Sequence, residues 1–373
     1  MKNSKGIPLP FSFIFAAKFQ IPFMRYFFVF LFFLLLFNSS IYAQNRALWA
    51  TVWDINSAEK IDAILKTAHQ YHFNQLFLQV RYRGDALYFP NKKDSSFVNS
   101  ESRCYVLKNS TFDPLQYAIN QAPKYDIEIH AWIPVFVVTP HDLTKIDSNH
   151  VYYQHPEWIT YTKSGKPMPY NSHEGAFLDP GIPQVQDYLL GVMGDIVKNY
   201  KVNGIQLDYI RYPDSLYGYN PLALEQFRQS GSKNFEQWKR DQVSQFVKKV
   251  NNQSKQIDSN IQVSAAVFAN QSKAFNRLGQ QWIHWQQQGY LDHAYVMAYN
   301  TSNTTFHRDV KSFYAADRKK TTIILRAWKD QKTYPVAQIN EKIKIAKRLG
   351  YRNFGFYSYS GLVNNKYLPL IRF

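Results

Sequence analysis

A single cysteine, Cys104, stands in 373 residues. No intrachain disulfide and no cysteine-based metal site is open to such a chain. No His-Glu-x-x-His spacing occurs, no Walker loop, no Gly-x-Ser-x-Gly elbow and no dinucleotide fingerprint. Zinc proteolysis, P-loop chemistry, serine-esterase chemistry and Rossmann-type redox therefore lack their signatures. Neither a metal nor a cofactor is expected. The longest apolar run falls short of the roughly 20 residues that a spanning helix needs. No linker or low-complexity stretch divides residues 44–373, and no repeat is visible beyond a strand–helix alternation.

What is present is hydrophobic and basic. The 45% hydrophobic and 17% aromatic content is enough for a large core, either one big barrel or two ordinary domains. The formal charge is +17. Residues 1–43 hold Lys2, Lys5, Lys18 and Arg25 and no acid, which leaves 40 basic against 27 acidic residues, or +13. Such a surface favours anionic partners without choosing among them.

The N-terminus carries an export pattern. Arg25 precedes the apolar run Phe27–Phe37, then Asn38-Ser39-Ser40-Ile41-Tyr42-Ala43 offers small residues for cleavage after Ala43. Residues 1–43 are therefore expected to be a signal peptide, with Met24 a second candidate start. An uncleaved anchor is the alternative. After cleavage no stable membrane span is expected. Export without disulfides suits a bacterial periplasm or cell surface.

After residue 44, eight apolar runs read as strands: Ala47–Trp53, Gln75–Arg81, Ile127–Ile133, Gly204–Ile210, Ile261–Phe268, Ala294–Tyr299, Thr322–Trp328 and Phe354–Tyr359. Helical periodicity lies between them. Ile61, Ile64, Leu65 and Ala68 share one face; Val185, Tyr188, Leu189, Val192, Ile196 and Tyr200 share another. Val336, Ile339, Ile343 and Ala346 form a third, stopped by Gly350. Phe235–Val250 and Gln280–Gln288 are helical by the same test. The alternation predicts a single-domain (β/α)₈ TIM barrel over residues 44–373. A doubly wound sheet is weaker, because no Gly-rich loop follows the first strand. Three long connections, Tyr82–Thr111, Phe136–Ile182 and Tyr212–Asn234, each follow a strand. In a barrel they rise from the catalytic face, as the expected walls of a groove.

Strand alternation sorts the faces. In the fourth strand Ile205, Leu207 and Tyr209 should meet the helices, and Gln206 and Asp208 should point inward. Phe77, Gln79 and Arg81 share the inner parity of the second strand, and Glu128, His130 and Trp132 that of the third. Ser264 and Asn270 follow on the fifth, Arg326 and Trp328 on the seventh. A structural barrel fills its interior with branched apolar layers; an interior of Arg, His, Gln, Asp and Trp predicts a polar site. The structural alternatives are specific. Asp208 pairs with Arg81 or Arg326, Glu128 belongs to the barrel floor, His130 is a satisfied core histidine, Trp132 and Trp328 are core, Asp179 caps a turn, and Asp54 is a weak candidate.

Carboxylates, aromatics and amides suit sugars. Aromatic rings stack on apolar sugar faces. Glycoside hydrolysis needs two carboxyls across the scissile bond. Asp208 is one. For the second, the long loops offer Asp85, Asp142, Glu174 and Asp214, of which Asp85 and Glu174 are preferred.

An ordered set of motifs resembles the glycosyl-hydrolase-like family 10, exported bacterial barrel proteins. It runs through Gln79-Val80-Arg81 with Gly84-Asp85-Ala86-Leu87-Tyr88, Ile129-His130-Ala131-Trp132, His155-Pro156-Glu157-Trp158 and Leu178-Asp179-Pro180-Gly181-Ile182-Pro183-Gln184-Val185. It continues through Asn203–Pro213 and Trp238-Lys239-Arg240-Asp241-Gln242-Val243. The resemblance implies an exported glycoside hydrolase, with cell-wall glycan among the substrates of the group. Many relatives carry two adjacent acids in the fourth-strand motif, and here the second position is Tyr209. The extra C-terminal β-domain of some relatives is expected to be absent.

The expectation is therefore a polysaccharide hydrolase with Asp208 as nucleophile or base and Asp85 or Glu174 as proton donor. Arg81, His130, Gln206, Asn270 and Tyr299 would hold hydroxyls, and Trp132 and Trp328 would stack. The rival is a non-catalytic glycan-binding barrel of the envelope. A nucleic-acid binder is disfavoured by export and by scattered positive charge.

Overall fold

The computed structural model describes residues 44–107 and 110–373. The expected signal peptide lies outside the described residues. Among those described, no helix is long and apolar enough to cross a membrane.

Eight parallel strands close into a barrel. They are β1 (Arg46–Ala50), β2 (Gln75–Gln79), β3 (Glu128–Pro134), β4 (Gly204–Asp208), β5 (Gln262–Phe268), β6 (His293–Met297), β7 (Thr321–Arg326) and β8 (Asn353–Tyr357). Each pairs with its sequence neighbours, and β8 closes on β1 through Trp49↔Tyr357. A helix follows every strand: α1 (Ala58–Gln70), α2 (Pro114–Gln121), α3 (Pro183–Asn199), α4 (Phe235–Ile257), α5 (Trp282–Gln287), α6 (Asn303–Ser312), α7 (Val336–Arg348) and α8 (Tyr359–Asn364). The (β/α)₈ expectation holds in type and order, with strand ends moved by at most three residues.

The helices form where periodicity and caps agree. Ser57 caps α1 by accepting from the Lys60 N–H, and Ile61, Ile64, Leu65 and Ala68 are its buried stripe. Truncating one such residue, Leu65→Ala for instance, should cost about 2–5 kcal/mol. Gly350 ends α7 with φ +92°, a conformation other residues resist.

Two apolar layers result. Leu48, Leu76, Leu78, Ile129, Ile205 and Leu207 pack outward against the helices. Inside the barrel, Ala47, Trp49, Phe77, Trp132, Tyr295 and Ile324 form a separate cluster. The Trp49 and Phe77 rings stack at 4.4 Å, and Tyr295 meets Phe77 edge-on at 4.7 Å. The barrel middle is thus an aromatic plug rather than the polar interior read from parity.

Below the plug lies a polar floor. Tyr295 donates to Gln75 at 2.8 Å and Gln75 to Glu128 at 2.8 Å. His130 meets Glu128 at 3.2 Å, and His293 meets Thr322 at 2.8 Å. Burial, reinforced by His130, lowers the His293 pKa to about 3.

The long connections do not all rise as walls. After β2 the chain leaves the barrel as a small hairpin, Arg81–Tyr82 against Asp85–Ala86. It then lies along the outside of α3. The Asn91 N–H and the Asn99 amide both bond Asp195, and the Lys93 and Asp94 N–H groups share the Asn199 side-chain oxygen. Gly191 and Gly194 leave room there, since a Cβ would come 2.3 Å from Val98 O and from the Phe97 ring.

Candidate active site

At the C-terminal ends of the strands, where barrel chemistry resides, a cavity of about 720 Å³ opens above the aromatic plug. Trp49, Trp132, Met297, Tyr299, Ile324 and Tyr357 line its depth. Its carboxylates are Asp208, Glu174 and Asp309; its cations are Arg211, Lys273, Arg277 and Arg308.

Asp208 is the last residue of β4. The strand stops there because Tyr209 adopts φ +50°, left-handed backbone that a tyrosine enters only at a cost. The Asp208 carboxylate secures the turn: Oδ1 accepts the Tyr209 N–H at 2.7 Å and Oδ2 accepts the Trp132 indole N–H at 2.9 Å. Burial among aromatic rings raises the carboxyl's pKa; the indole, the Tyr209 N–H, Arg211 and Arg83 pull it partly back. The result is a carboxylate with raised basicity and both oxygens held in place.

Glu174 enters from the β3–α3 loop, its carboxyl half exposed and 3.7 Å from Arg211 Nη2. Arg211 is buried, donates to the Tyr212 and Pro213 carbonyls at 3.2 and 3.1 Å, and packs beside the Tyr209, Phe177 and Phe268 rings. Asp309, on α6, is bound by the Asn300 amide at 2.7 Å and by Arg308 at 3.2 Å. Lys273 carries a lowered pKa, from partial burial first and then from Arg211 and Arg277. The β4–β6 side of the cavity is therefore electropositive.

Of the residues expected from sequence, Asp208, Glu174, Trp132, Asn270 and Tyr299 line this one cavity. Trp328 stands at its edge, meeting Tyr299 edge-on at 4.9 Å and Tyr357 at 5.8 Å. Four others are not brought to it. Arg81 is fully buried in the hairpin, where it pairs with Glu101 at 2.6 Å and donates to the Pro134 and Val135 carbonyls. Tyr188 completes that cluster by donating to Glu101 at 2.6 Å. Asp85 is buried in the same hairpin, 4.0 Å from His150. His130 belongs to the floor, stacked on Phe77 at 4.6 Å. Gln206 points inward but sits beneath Asp208, accepting the Trp49 indole N–H at 2.7 Å.

Parity also misplaced Tyr209. Its left-handed backbone breaks the alternation, so it lines the cavity instead of meeting the helices. Asp179 and Asp54 are turn residues: Thr160 and the Gly181 N–H bond Asp179, and Thr51 bonds Asp54. Sequence reading missed Arg211, Lys273, Arg277, Arg308 and Asp309. Arg211 lay in view inside the β4 motif, and Lys273 and Arg277 are spaced one helical turn apart. Among the described residues, no three His, Cys, Asp or Glu side chains are grouped as a metal site requires.

Comparison with known proteins agrees with this architecture. The sequence model of the family described as Glycosyl hydrolase-like 10 matches residues 44–348. The chain is similar to glycosyl hydrolase YngK of Bacillus subtilis, 26% identical over 56% of this chain and 42% of that protein. It is similar to glycosyl hydrolase DigH of Escherichia coli, 27% identical over 76% of this chain and 67% of that protein. The match thus spans less than half of the first relative's length and about two thirds of the second's. In fold it is similar to the PgaB glycoside hydrolase domain of Bordetella bronchiseptica, with a TM-score of 0.68 at 13% identity, covering 87% of this chain and 97% of that one. It is also similar to α-L-fucosidase isoenzyme 2 of Paenibacillus thiaminolyticus, with a TM-score of 0.63 at 13% identity, covering 87% and 49%.

Proposed function

We propose, from the premise that this chain belongs to the glycosyl hydrolase-like 10 family, that it is an exported glycoside hydrolase acting on a polysaccharide of the bacterial envelope, with cell-wall glycan as the leading substrate. One observation carries the reading: Asp208 and Glu174 line a single cavity floored by aromatic rings. Hydrolysis of a glycosidic bond needs one carboxylate to attack or to activate water and one carboxylic acid to protonate the leaving oxygen.

Asp208 suits the first role. Both of its oxygens accept N–H donors, as an ionised carboxylate does. Poor solvation raises its basicity. Either an Asp208 oxygen bonds to the anomeric carbon, giving a glycosyl ester that water then hydrolyses, or a water deprotonated by Asp208 bonds there directly; in both routes the anomeric carbon parts from the departing sugar's oxygen. Glu174 supplies the proton to that oxygen. A bound sugar would cover the exposed half of the Glu174 side chain. Trp132, Tyr299 and Tyr357 offer apolar faces to the sugar ring and Asn270 an amide. Arg211, Lys273 and Arg277 favour a glycan with acidic groups. The export pattern of residues 1–43 fits an envelope substrate.

The test is hydrolysis of cell-wall glycan, with and without its peptides, followed as new reducing ends. Wild type should act, and Asp208→Asn should lose about a thousandfold or more of turnover with its fold intact. Near-normal hydrolysis by Asp208→Asn would remove the assignment. Binding without hydrolysis by the wild type would make this barrel a glycan-binding protein.

A further inference from the structure

The cavity mouth is chemically divided. Its cations come from the segments after β4, β5 and β6, whereas the segments after β7, β8, β1 and β2 present aromatic rings. Two of these are exposed tryptophans: Trp328 at 39% and Trp53 at 50% exposure. Trp328 touches the cavity through Tyr299. Trp53, just past the C-terminal end of β1, lies outside the cavity lining.

Trp53 is nonetheless built in. Asp54 fixes its turn by accepting from the Thr51 N–H and hydroxyl, both at 2.8 Å. Lys60 donates to the Trp53 carbonyl at 2.8 Å. The indole meets Tyr82 and Tyr105 edge-on, each at 6.2 Å, and those two rings meet each other at 6.4 Å. An indole held this way at half exposure leaves an apolar ring surface open to a stacking ligand.

The trio connects to the cavity through one residue. Arg83, with φ +55°, lies 5.4 Å from the Tyr82 ring and 5.7 Å from the Tyr209 ring. Tyr209 lines the cavity beside Asp208. The Arg83 carbonyl is fixed by His150 Nε2 at 2.7 Å. Its guanidinium is thus a donor fork between an exposed aromatic platform and the candidate catalytic carboxylate.

We infer that Trp53, Tyr82 and Tyr105 form an outer sugar subsite, which stacks a pyranose several units from the cleavage point, with Arg83 bonding hydroxyls of the intervening units. The occupant is the same polysaccharide chain that enters the cavity, so this inference rests on the reading above. It adds that the protein grips a long strand and prefers polymer to short oligosaccharide. Stacking suits this task because an aromatic face accepts a sugar ring without depending on its substituents.

Binding separates the two ideas, because it needs no turnover. The full chain carrying Asp208→Asn is titrated with peptide-free cell-wall glycan strands sorted by length, with tryptophan fluorescence as the readout. Octasaccharides and longer should bind about tenfold tighter than disaccharides. Adding Trp53→Ala should bring the two lengths level, and Trp53→Phe should restore part of the difference; unchanged melting curves confirm the folds. If long and short strands bind alike, or if Trp53→Ala leaves their ratio unchanged, the outer subsite is wrong and the cavity reading stands. If neither length binds, the envelope-glycan reading fails and this one fails with it.

Discussion

Trp132 donates its indole N–H to Oδ2 of Asp208 at 2.9 Å, from the neighbouring strand and on the same inward face. This bond favours the ionised carboxylate and opposes the effect of burial. Trp132→Phe keeps the ring and deletes the donor. The Asp208 pKa should rise further, so the acid limb of the pH–rate profile should move to higher pH. Turnover at neutral pH should fall about ten- to a hundredfold. A profile that stays in place would detach Trp132 from the chemistry.

Glu174 is distinguished by the leaving group. A proton donor matters most when the departing oxygen is a poor leaving group. Glu174→Gln should lose about a hundredfold or more on natural glycan and much less on an aryl glycoside with an activated phenol. Equal losses on both substrates would move the donor role elsewhere.

Arg81 and Glu101 should govern stability, not catalysis. Both are buried, and removing one partner strands the other's charge. Glu101→Gln should cost about 3–5 kcal/mol in urea unfolding while leaving turnover per folded molecule near wild type. A selective loss of turnover without loss of stability would return the pair to the site.

Two buried histidines, His150 and His293, should contribute to the acid limit of the fold. Burial lowers the His150 pKa to about 4 and the His293 pKa to about 3, from 6.5. The unfolded chain therefore binds protons, below about pH 6.5, that the folded chain refuses. Their stabilising contribution is complete above that pH and is lost as pH falls toward 4 and then 3. A tenfold difference in proton affinity between the folded and unfolded chain is worth about 1.4 kcal/mol. Melting temperature should therefore drop steeply between pH 6.5 and 4. His150→Gln should flatten part of that slope; an unchanged slope would assign acid sensitivity to other groups.

The cationic side should be read by salt. Lys273→Ala with Arg277→Ala should weaken binding of carboxylate-bearing oligosaccharides and spare neutral ones. In wild type, raising salt until the Debye length falls from about 10 Å to about 3 Å should have the same selective effect. Equal weakening of neutral and acidic sugars would make these residues general contacts.

Much of this was legible in the residues. Eight apolar runs alternating with amphipathic stripes fit a closed barrel, and the lack of a Gly-rich loop after the first strand weighed against the doubly wound sheet that buries the same alternation. Asp208 was legible because alternation holds up to the last residue of β4. It failed one residue later, at Tyr209, where left-handed backbone ends the strand. Arg81 failed for a related reason: β2 ends at Gln79, and the hairpin carries Arg81 to Glu101, a partner 20 residues away that no local pattern announces. The cationic side escaped because its residues sit on segments that follow β4, β5 and β6, past the strand ends where parity applies. Glu174 was only one of several loop acids until the β3–α3 loop folded back through the Val137–Phe177 bridge.

The double duty of Asp208 shapes what evolution can do with this barrel. Its Oδ1 closes the turn at Tyr209 and its Oδ2 holds Trp132, so its loss would unsettle architecture as well as chemistry. A descendant without hydrolysis would still be selected to keep Asp at 208, since Asn offers only one of the two accepting oxygens. Glu174, half exposed and tied by one ion pair at 3.7 Å, has no comparable structural duty. Under the roles proposed above, retention of an acid at 174 across diverged copies of this fold would report continued selection for hydrolysis better than retention at 208.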